Sequence, residues 1–481
     1  MDFKSILKVM SLIGIAVGLF FALELPVGLY YGEAIGKLAA FLALFLLGNG
    51  AIWFFLRGHK VDLKIRESIL SVNLLWILLG VGGAIPLVLY TPISFASGFF
   101  EAISGFTTTG ATVYSRIESL PHFILFHRSL MHWMGGMGII VLGVGLLSMI
   151  NPSGSLSLFK AESTGIQIEK LRPKIRDTAL SLWGIYLALT VLDMLFLKLF
   201  GMGWFDAVNH AFSTLSTGGF STKNASMGYW ADSPAILWTT TIFMLLSGIN
   251  FLAHLRLLYK DGSGYRSEEV RWYLIVFVVL GALVTLTHAW IGMDTLWHSA
   301  THSFFTVASV MTTTGFASTD YGRWSHAAIA LIFIAMFVGG NAGSTAGGVK
   351  VIRYVVIFKT LFAEMKRTLH PRALIAVYVD GNKLRDAVIT STFGFFILYI
   401  FTNVLLTIYI YARGYDAMTA VSGALAIVGN IGPGFAKVGP ADNFAFFSDL
   451  DKIVLSIGMI IGRLECYTVY LLLSVSFWKK F

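Results

Sequence analysis

Four short stretches of the chain carry the residue types from which an ion-binding backbone can be built. They are Glu101-Ala-Ile-Ser-Gly-Phe-Thr-Thr-Thr-Gly110-Ala-Thr112, His210-Ala-Phe-Ser-Thr-Leu-Ser-Thr-Gly-Gly219-Phe-Ser221, Thr306-Val-Ala-Ser-Val-Met-Thr-Thr-Thr-Gly315-Phe-Ala317 and Gly423-Ala-Leu-Ala-Ile-Val-Gly-Asn-Ile-Gly432-Pro-Gly434. Aligned on Gly110, Gly219, Gly315 and Gly432, the first three share a serine six residues earlier, at Ser104, Ser213 and Ser309. The fourth has Ala426 there. Successive glycines are 109, 96 and 117 residues apart. Glycine reaches backbone angles closed to other residues, so it lets carbonyls point at a common axis. Four such segments around one axis make a ring of carbonyl oxygens that can replace the hydration shell of a cation. The residues just before each glycine brace the segment or add oxygen ligands: Thr108 and Thr109, Thr217 and Gly218, Thr313 and Thr314, Asn430 and Ile431. An anion pore would present Arg or Lys, and the clusters hold neither. No ring of carboxylates is present either, which argues against Ca²⁺ or Mg²⁺. One small-residue cluster would read as a packing face between helices. Four in register read as a binding ring for a small monovalent cation.

Such a ring needs elements to carry it. Of 481 residues, 56% are apolar and 13% charged, with a mean hydropathy of +0.75. Soluble domains carry about 25% charged residues, so a soluble enzyme, a disordered chain and a secreted disulfide scaffold are excluded. A bilayer core about 30 Å thick needs roughly 20 apolar residues in a helix. That length predicts ten spans, at 9–31, 38–56, 68–91, 123–149, 178–200, 235–255, 272–292, 326–349, 388–412 and 453–476. The first exceeds a signal-peptide core and is kept as a span. With both termini inside, basic residues divide 25 inside to eight outside, and Arg128 and Arg463 fall within spans. This positive-inside bias accounts for the net charge of +9 without nucleic acid. The clusters all lie in outside connections, each followed and preceded by a span. A half-membrane helix followed by returning backbone is tolerated only where it lines a polar cavity or is packed in protein. The reading is an all-α polytopic membrane protein with four helix–pore-loop–helix repeats in pseudo-fourfold arrangement around one pore, plus two extra N-terminal helices. Its units are 1–62 for the leading pair, then repeats at 63–165, 166–262, 263–375 and 376–481.

Two further features suggest a gate. Gly339, Gly340, Gly343, Gly347 and Gly348 fall within ten residues of the eighth span. Each disfavours helix by about 1 kcal/mol relative to Ala. The span should break there into an obstructing loop that includes Gly343, Ser344, Thr345, Ala346 and Gly347. A phosphate-binding P-loop is excluded, because Val349 stands where that motif requires Lys. Arg463, ten residues into the last span, should find an interior partner. The expectation is that it contacts freed carbonyls of the loop and forms a cationic barrier. Lys350 is a second gate residue, expected to snorkel at the inner edge. Glu465, two residues from Arg463, points to another helix face. His122, His127 and His132 spread around a helix, which argues against haem ligation. His298 and His302 are i,i+4 but lack a companion Cys or carboxylate cluster, so a structural role is expected. Cys466 is the only cysteine and cannot form an internal disulfide. Asp380-Gly381 is a turn signal within 350–387, the most charged inside segment and a docking surface or a lipid-facing loop.

At the four clusters, and at Arg128-Ser-Leu-Met-His-Trp-Met-Gly-Gly-Met-Gly138, Ser247-Gly-Ile-Asn-Phe251, Gly339–Lys350 and Gly462-Arg-Leu-Glu465, the chain resembles the Trk/Ktr/HKT superfamily of potassium transporters, of the TrkH/TrkG type. The resemblance spans nearly the whole chain. It implies K⁺ uptake across the bacterial inner membrane, a homodimer, and a cytoplasmic nucleotide-binding regulatory ring of the TrkA kind, with membrane lipid around the chain. In that family a serine in place of the first filter glycine accompanies Na⁺ permeation. Glycine at all four positions therefore implies K⁺, the ion at the filter residues and the only cofactor expected. Ser216-Thr217-Gly218 and Gly429-Asn430-Ile431 depart from the Thr-Thr-Thr of the other repeats, which implies a less symmetric filter. Two other readings are a Na⁺- or H⁺-coupled cation symporter of the same fold and a membrane redox or enzyme subunit. No nucleophile–base pair or nucleotide motif supports the last. Repeats that all enter from one side favour a pore over a carrier built on inverted repeats.

Overall fold

The computed structural model describes residues 1–138, 175–289 and 295–479. Among the described residues 71% are helical, and the only strands form one two-stranded hairpin. Two leading elements open the chain. One is α1 (Phe3–Phe21), continued by α2 (Glu24–Tyr30), and the other is α3 (Gly36–Phe55). Lys8 is buried and donates to the carbonyls of Arg57 (2.9 Å) and His59 (2.7 Å) just past the end of α3. That cation satisfies carbonyls that the end of a helix leaves unpaired. Asp2 caps α1 and contacts His59 at 2.8 Å. Hydrogen bonds from Ser5 and His59 hold its carboxyl down at about 2.

Four units of similar plan follow. In each, a long apolar helix is followed by a short one, an extended turn and a second helix. The long helices are α4 (Ile65–Tyr90), α7 (Ile175–Leu199), α11 (Glu268–Ala289) and α15 (Asp386–Ala412). The short ones are α5 (Phe95–Phe106), α8 (Trp204–Leu215), α12 (Leu296–Met311) and α16 (Ala417–Val428). Each long helix packs on its own short helix. At 12 to 16 residues the short helices reach only part-way through a bilayer. Their C-terminal halves are largely buried, with exposed residues such as Phe95, Trp204, Leu296 and Met418 near their N-termini, whereas the long helices expose Leu, Ile and Phe on their outer faces, as Leu192, Leu195 and Phe196 do on α7. That is the distribution expected of lipid on the outside and a packed centre within.

The closing helices depart from continuous spans. The first is α6 (His122–Trp133), which passes into a π-helical turn, Met134–Gly138. The remainder of the span expected at 123–149 and the unit boundary at 165/166 lie outside the described residues. The span expected at 235–255 is two helices, α9 (Pro234–Ser247) and α10 (Phe251–Leu258), bent by 94°. The span expected at 453–476 is likewise split, into α17 (Asp449–Arg463) and α18 (Tyr467–Leu473), bent by 117°. The eighth ends early: α13 (His326–Ala335) gives way to a loop that leads into α14 (Val351–Leu369). Such breaks leave backbone groups without a partner in their own helix. The chain continues through β1 (Tyr378–Val379) and β2 (Asn382–Lys383) and ends in α19 (Val475–Trp478).

Candidate functional site

The four short helices end in the same way. In α5, Thr108 N–H bonds Gly105 O (3.1 Å) and Thr109 N–H bonds Ser104 O (2.9 Å). The paired bonds recur from Thr217 and Gly218 after α8, from Thr313 and Thr314 after α12, and from Asn430 and Ile431 after α16. This is a Schellman cap, which normally places Gly in the left-handed position and sometimes Asn. Here the residues in that position are Thr108, Thr217, Thr313 and Asn430, with φ between 53° and 58°. A β-branched residue at positive φ is a backbone outlier, and such strain, of order 1–3 kcal/mol, gathers at ligand clamps and switches. The serine and alanine at the common position supply their backbone carbonyl as the acceptor of the cap, so the fourth repeat needs no side chain there.

Two residues on, Gly110, Gly219, Gly315 and Gly432 also have positive φ, from 79° to 96°. A methyl group added to Gly110 would collide with the carbonyl oxygen of Gly218; on Gly219, with that of Thr314; on Gly315, with that of Ile431. On Gly432 it would lie 2.5 Å from the carbonyl oxygen of Thr109. Each glycine therefore abuts the carbonyl that precedes the glycine of the next repeat, and the fourth returns to the first. The set closes into a ring. Thr108, Thr109, Thr217, Thr313, Thr314, Asn430 and Ile431 of the ring are buried, and the C-termini of four helices, the negative ends of their dipoles, converge beneath it.

The ring is four-fold in its backbone but not in its side chains, where only repeats one and three match. In repeats one and three, hydroxyls pair across the cap: Thr107 with Thr109 and Thr312 with Thr314, each at 2.7 Å. In repeat two Gly218 leaves that space to His132, which lies against Gly218 and stacks on Phe220 at 4.0 Å. In repeat four the Asn430 amide donates to Thr109 Oγ1 (2.9 Å) and Met459 O (3.0 Å). Above the ring, the Arg128–Glu101 ion pair is fully buried at 2.8 Å. Glu101 also accepts from Thr112 and from Val113 N–H, while Arg128 donates to Ser221 O in the next repeat at 3.2 Å. His210 occupies the place of Glu101 in repeat two and bonds Ser221 Oγ at 2.9 Å. Tyr321 reaches from repeat three to Gly434 O in repeat four at 3.3 Å.

Below the ring sits the loop that ends α13. Its neck closes through Gly339 N–H to Val349 O (2.9 Å) and Val351 N–H to Gly340 O (3.1 Å). Gly347 N–H donates to Thr313 Oγ1 at 2.7 Å, so the loop hangs directly from the ring segment of the third repeat. Thr345 Oγ1 bonds both Leu215 O (3.0 Å) and Ser247 O (3.2 Å) in repeat two. Asn341 N–H takes Gly248 O and Phe251 N–H takes Gly343 O, which satisfies the break between α9 and α10. Arg463 is the last residue of α17 and not mid-helix. Its guanidinium donates to Thr345 O (3.0 Å), Gly135 O (2.8 Å) and Gly136 O (3.1 Å). Residues of all four repeats thus meet beneath the ring.

A family model described as TrkH, cation transport protein, matches residues 36–480. The chain belongs to the TrkH family. It is 38% identical to the Trk system potassium uptake protein TrkH of Salmonella typhimurium strain LT2 over 488 residues, covering all of both chains. Against the potassium uptake protein TrkG of Escherichia coli K12 it is 36% identical over 447 residues, 92% of this chain and 91% of that one. The crystal structure of the potassium transporter TrkH from Vibrio parahaemolyticus superposes with a TM-score of 0.87 at 35% identity, covering both chains fully. These TrkH-family relatives carry transporter names, not enzyme names, and the chain is a multi-pass helical membrane protein like them.

Within the TrkH fold the side chains missed or misread in the sequence are instructive. Lys350 does not snorkel: it is buried and donates to Ala346 O within the loop. Glu465 pairs with Arg353, whose guanidinium also covers the Phe395 ring at 3.7 Å. His122 contacts Glu33, and His127 bonds Glu24 (2.7 Å) and Gly83 O (2.9 Å), so the histidines of α6 serve different neighbours. His298 and His302 approach each other at 3.1 Å, and His302 also bonds Ser318 Oγ. Arg128, Glu101 and His132 stood in the quoted motifs without a role. Their helix spacing points inward, but only the fold brings their partners together.

Proposed function

We propose that the chain is a K⁺-translocating subunit that mediates K⁺ uptake across the plasma membrane through the ring at Gly110, Gly219, Gly315 and Gly432. The observation that carries this reading is the closed succession of glycine against carbonyl through all four repeats, set at the negative ends of four helices. Carbonyls so held replace water around a dehydrated monovalent cation, and the potassium named for the relatives supplies the ion. The residues assigned to K⁺ are Thr108, Thr109 and Gly110, with Thr217–Gly219, Thr313–Gly315 and Asn430–Gly432 as their counterparts. The loop from Gly343 to Gly347, with Lys350 and Arg463, is assigned as the gate, because it lies under the ring and places a guanidinium there. The face that carries the basic residues is assigned to the cytoplasm, both termini with it, and the repeats to 63–165, 166–262, 263–375 and 376–481. A homodimer on a nucleotide-binding ring is the assembly expected with it, to be tested by light scattering of the purified protein with and without such a subunit. Expression in a cell deficient in K⁺ uptake tests the function. Growth at low external K⁺ supports it, and no growth from a membrane-inserted, folded chain overturns it. Reversal potentials under imposed H⁺ and Na⁺ gradients then separate a passive pore from a coupled symporter.

A further inference from the structure

One carboxylate holds both ends of the intramembrane loop. Glu269, the second residue of α11, is 8% exposed. Its Oε1 accepts Ala342 N–H at 2.7 Å, on the descending limb, and Ile352 N–H at 3.3 Å, just beyond the returning limb. The adjacent Glu268 faces the hairpin on the basic face. Glu268 N–H donates to Asp380 Oδ1 (2.7 Å), and its Oε1 accepts Asp380 N–H (3.0 Å). Glu268 also pairs with Lys359, which donates to Tyr378 O (2.8 Å). Asp380 and Gly381 are the two turn residues, both at positive φ (47° and 75°), as a type I′ hairpin turn requires. The turn is exposed. Neighbouring residues in one helix move as a unit, so the peptide between Glu268 and Glu269 joins the hairpin tip to the loop.

We infer that Glu269 is a positioning residue of the permeation path, and that Glu268 and Glu269 together tie the loop to the Asp380–Gly381 hairpin. A displacement of the exposed turn then changes how the loop sits beneath the filter. The inference rests on reading the loop as the gate. The neck is closed by its two backbone hydrogen bonds, and Glu269 Oε1 adds an acceptor shared by both limbs; no other side chain accepts from both limbs among the described residues.

The test places a thiol at Ser344→Cys and measures its rate of labelling by a membrane-impermeant methanethiosulfonate in oriented membranes, with Rb⁺ flux read in parallel. The native Cys466 is buried, and the unsubstituted protein serves as its control. Glu269→Ala removes the shared acceptor and should raise the labelling rate several-fold. Glu269→Gln keeps one carbonyl oxygen and should restore the parent rate, which a merely unfolded variant would not do. Asp380→Ala, remote from the loop, should raise the rate in the same direction. Labelling unchanged in Glu269→Ala overturns the positioning role, and labelling unchanged in Asp380→Ala overturns the link. Faster labelling with unchanged Rb⁺ flux sustains the positioning role but removes the loop from its part as gate.

Discussion

The ring makes a strong prediction at Gly432, because the fold supplies a matched control at Gly414. Both have positive φ, 96° and 91°. Alanine at either position carries the same backbone strain, about 1–2 kcal/mol for an L residue in left-handed geometry. Around Gly414 nothing lies within 4 Å, whereas at Gly432 the new methyl would be 2.5 Å from Thr109 O and 3.1 Å from the Gly110 carbonyl carbon. Real Cβ contacts essentially never fall below 3.0 Å. The Thr109 carbonyl, or the Gly432 backbone, must therefore retreat by about 0.5 Å, which is the tolerance within which a binding constellation has to be held. Gly432→Ala should lower K⁺ uptake at least tenfold, corresponding to about 1.4 kcal/mol, and weaken discrimination against Na⁺. Gly414→Ala should stay within about twofold of the parent, the strain being carried on an open turn. Initial rates of Rb⁺ uptake at matched membrane expression, with Na⁺ as competitor, measure both. Equal losses in the two variants would mean that strain alone is being read. Unimpaired selective uptake by Gly432→Ala would refute the ring.

Three further outcomes follow from other contacts. Arg463→Ala removes three carbonyl contacts and a cation beneath the ring, so resting K⁺ flux should rise; unchanged or lower flux from a folded variant counts against the proposed barrier. Thr313→Val deletes the acceptor of Gly347 N–H and leaves a buried donor unpaired at a cost of about 1–3 kcal/mol. Resting flux should increase in Thr313→Val more than in Thr108→Val, whose hydroxyl accepts from and donates to no protein group, and the reverse order would sink the filter-to-loop coupling. Arg128→Ala strands the buried Glu101 carboxylate at about 3–5 kcal/mol. A lowered melting temperature in detergent is expected, with partial recovery in the double variant Arg128→Met and Glu101→Gln; a single variant as stable as the parent would contradict the bracing role.

The sequence by itself determined the long apolar helices and the four turns that each carry a positive-φ glycine, because apolar length and a need for positive φ are written locally; the spans expected at 235–255 and 453–476 it read as unbroken, whereas each is two bent helices. It also marked the break at Gly339–Gly348, where five glycines oppose helix. It did not mark the caps at Thr108, Thr217 and Thr313, since threonine there violates local preference and is held by its surroundings. Nor did it mark the bend at Glu465 and Cys466, two consecutive residues at positive φ without a glycine or proline between them. Glu269, Arg128 and His132 acquired their roles only when residues 73 to 93 positions away in the chain closed around them, as Ser221 does on Arg128. A buried polar group must find a partner, but local sequence carries no information about which distant backbone will supply it. Packing four similar units about one axis made that choice.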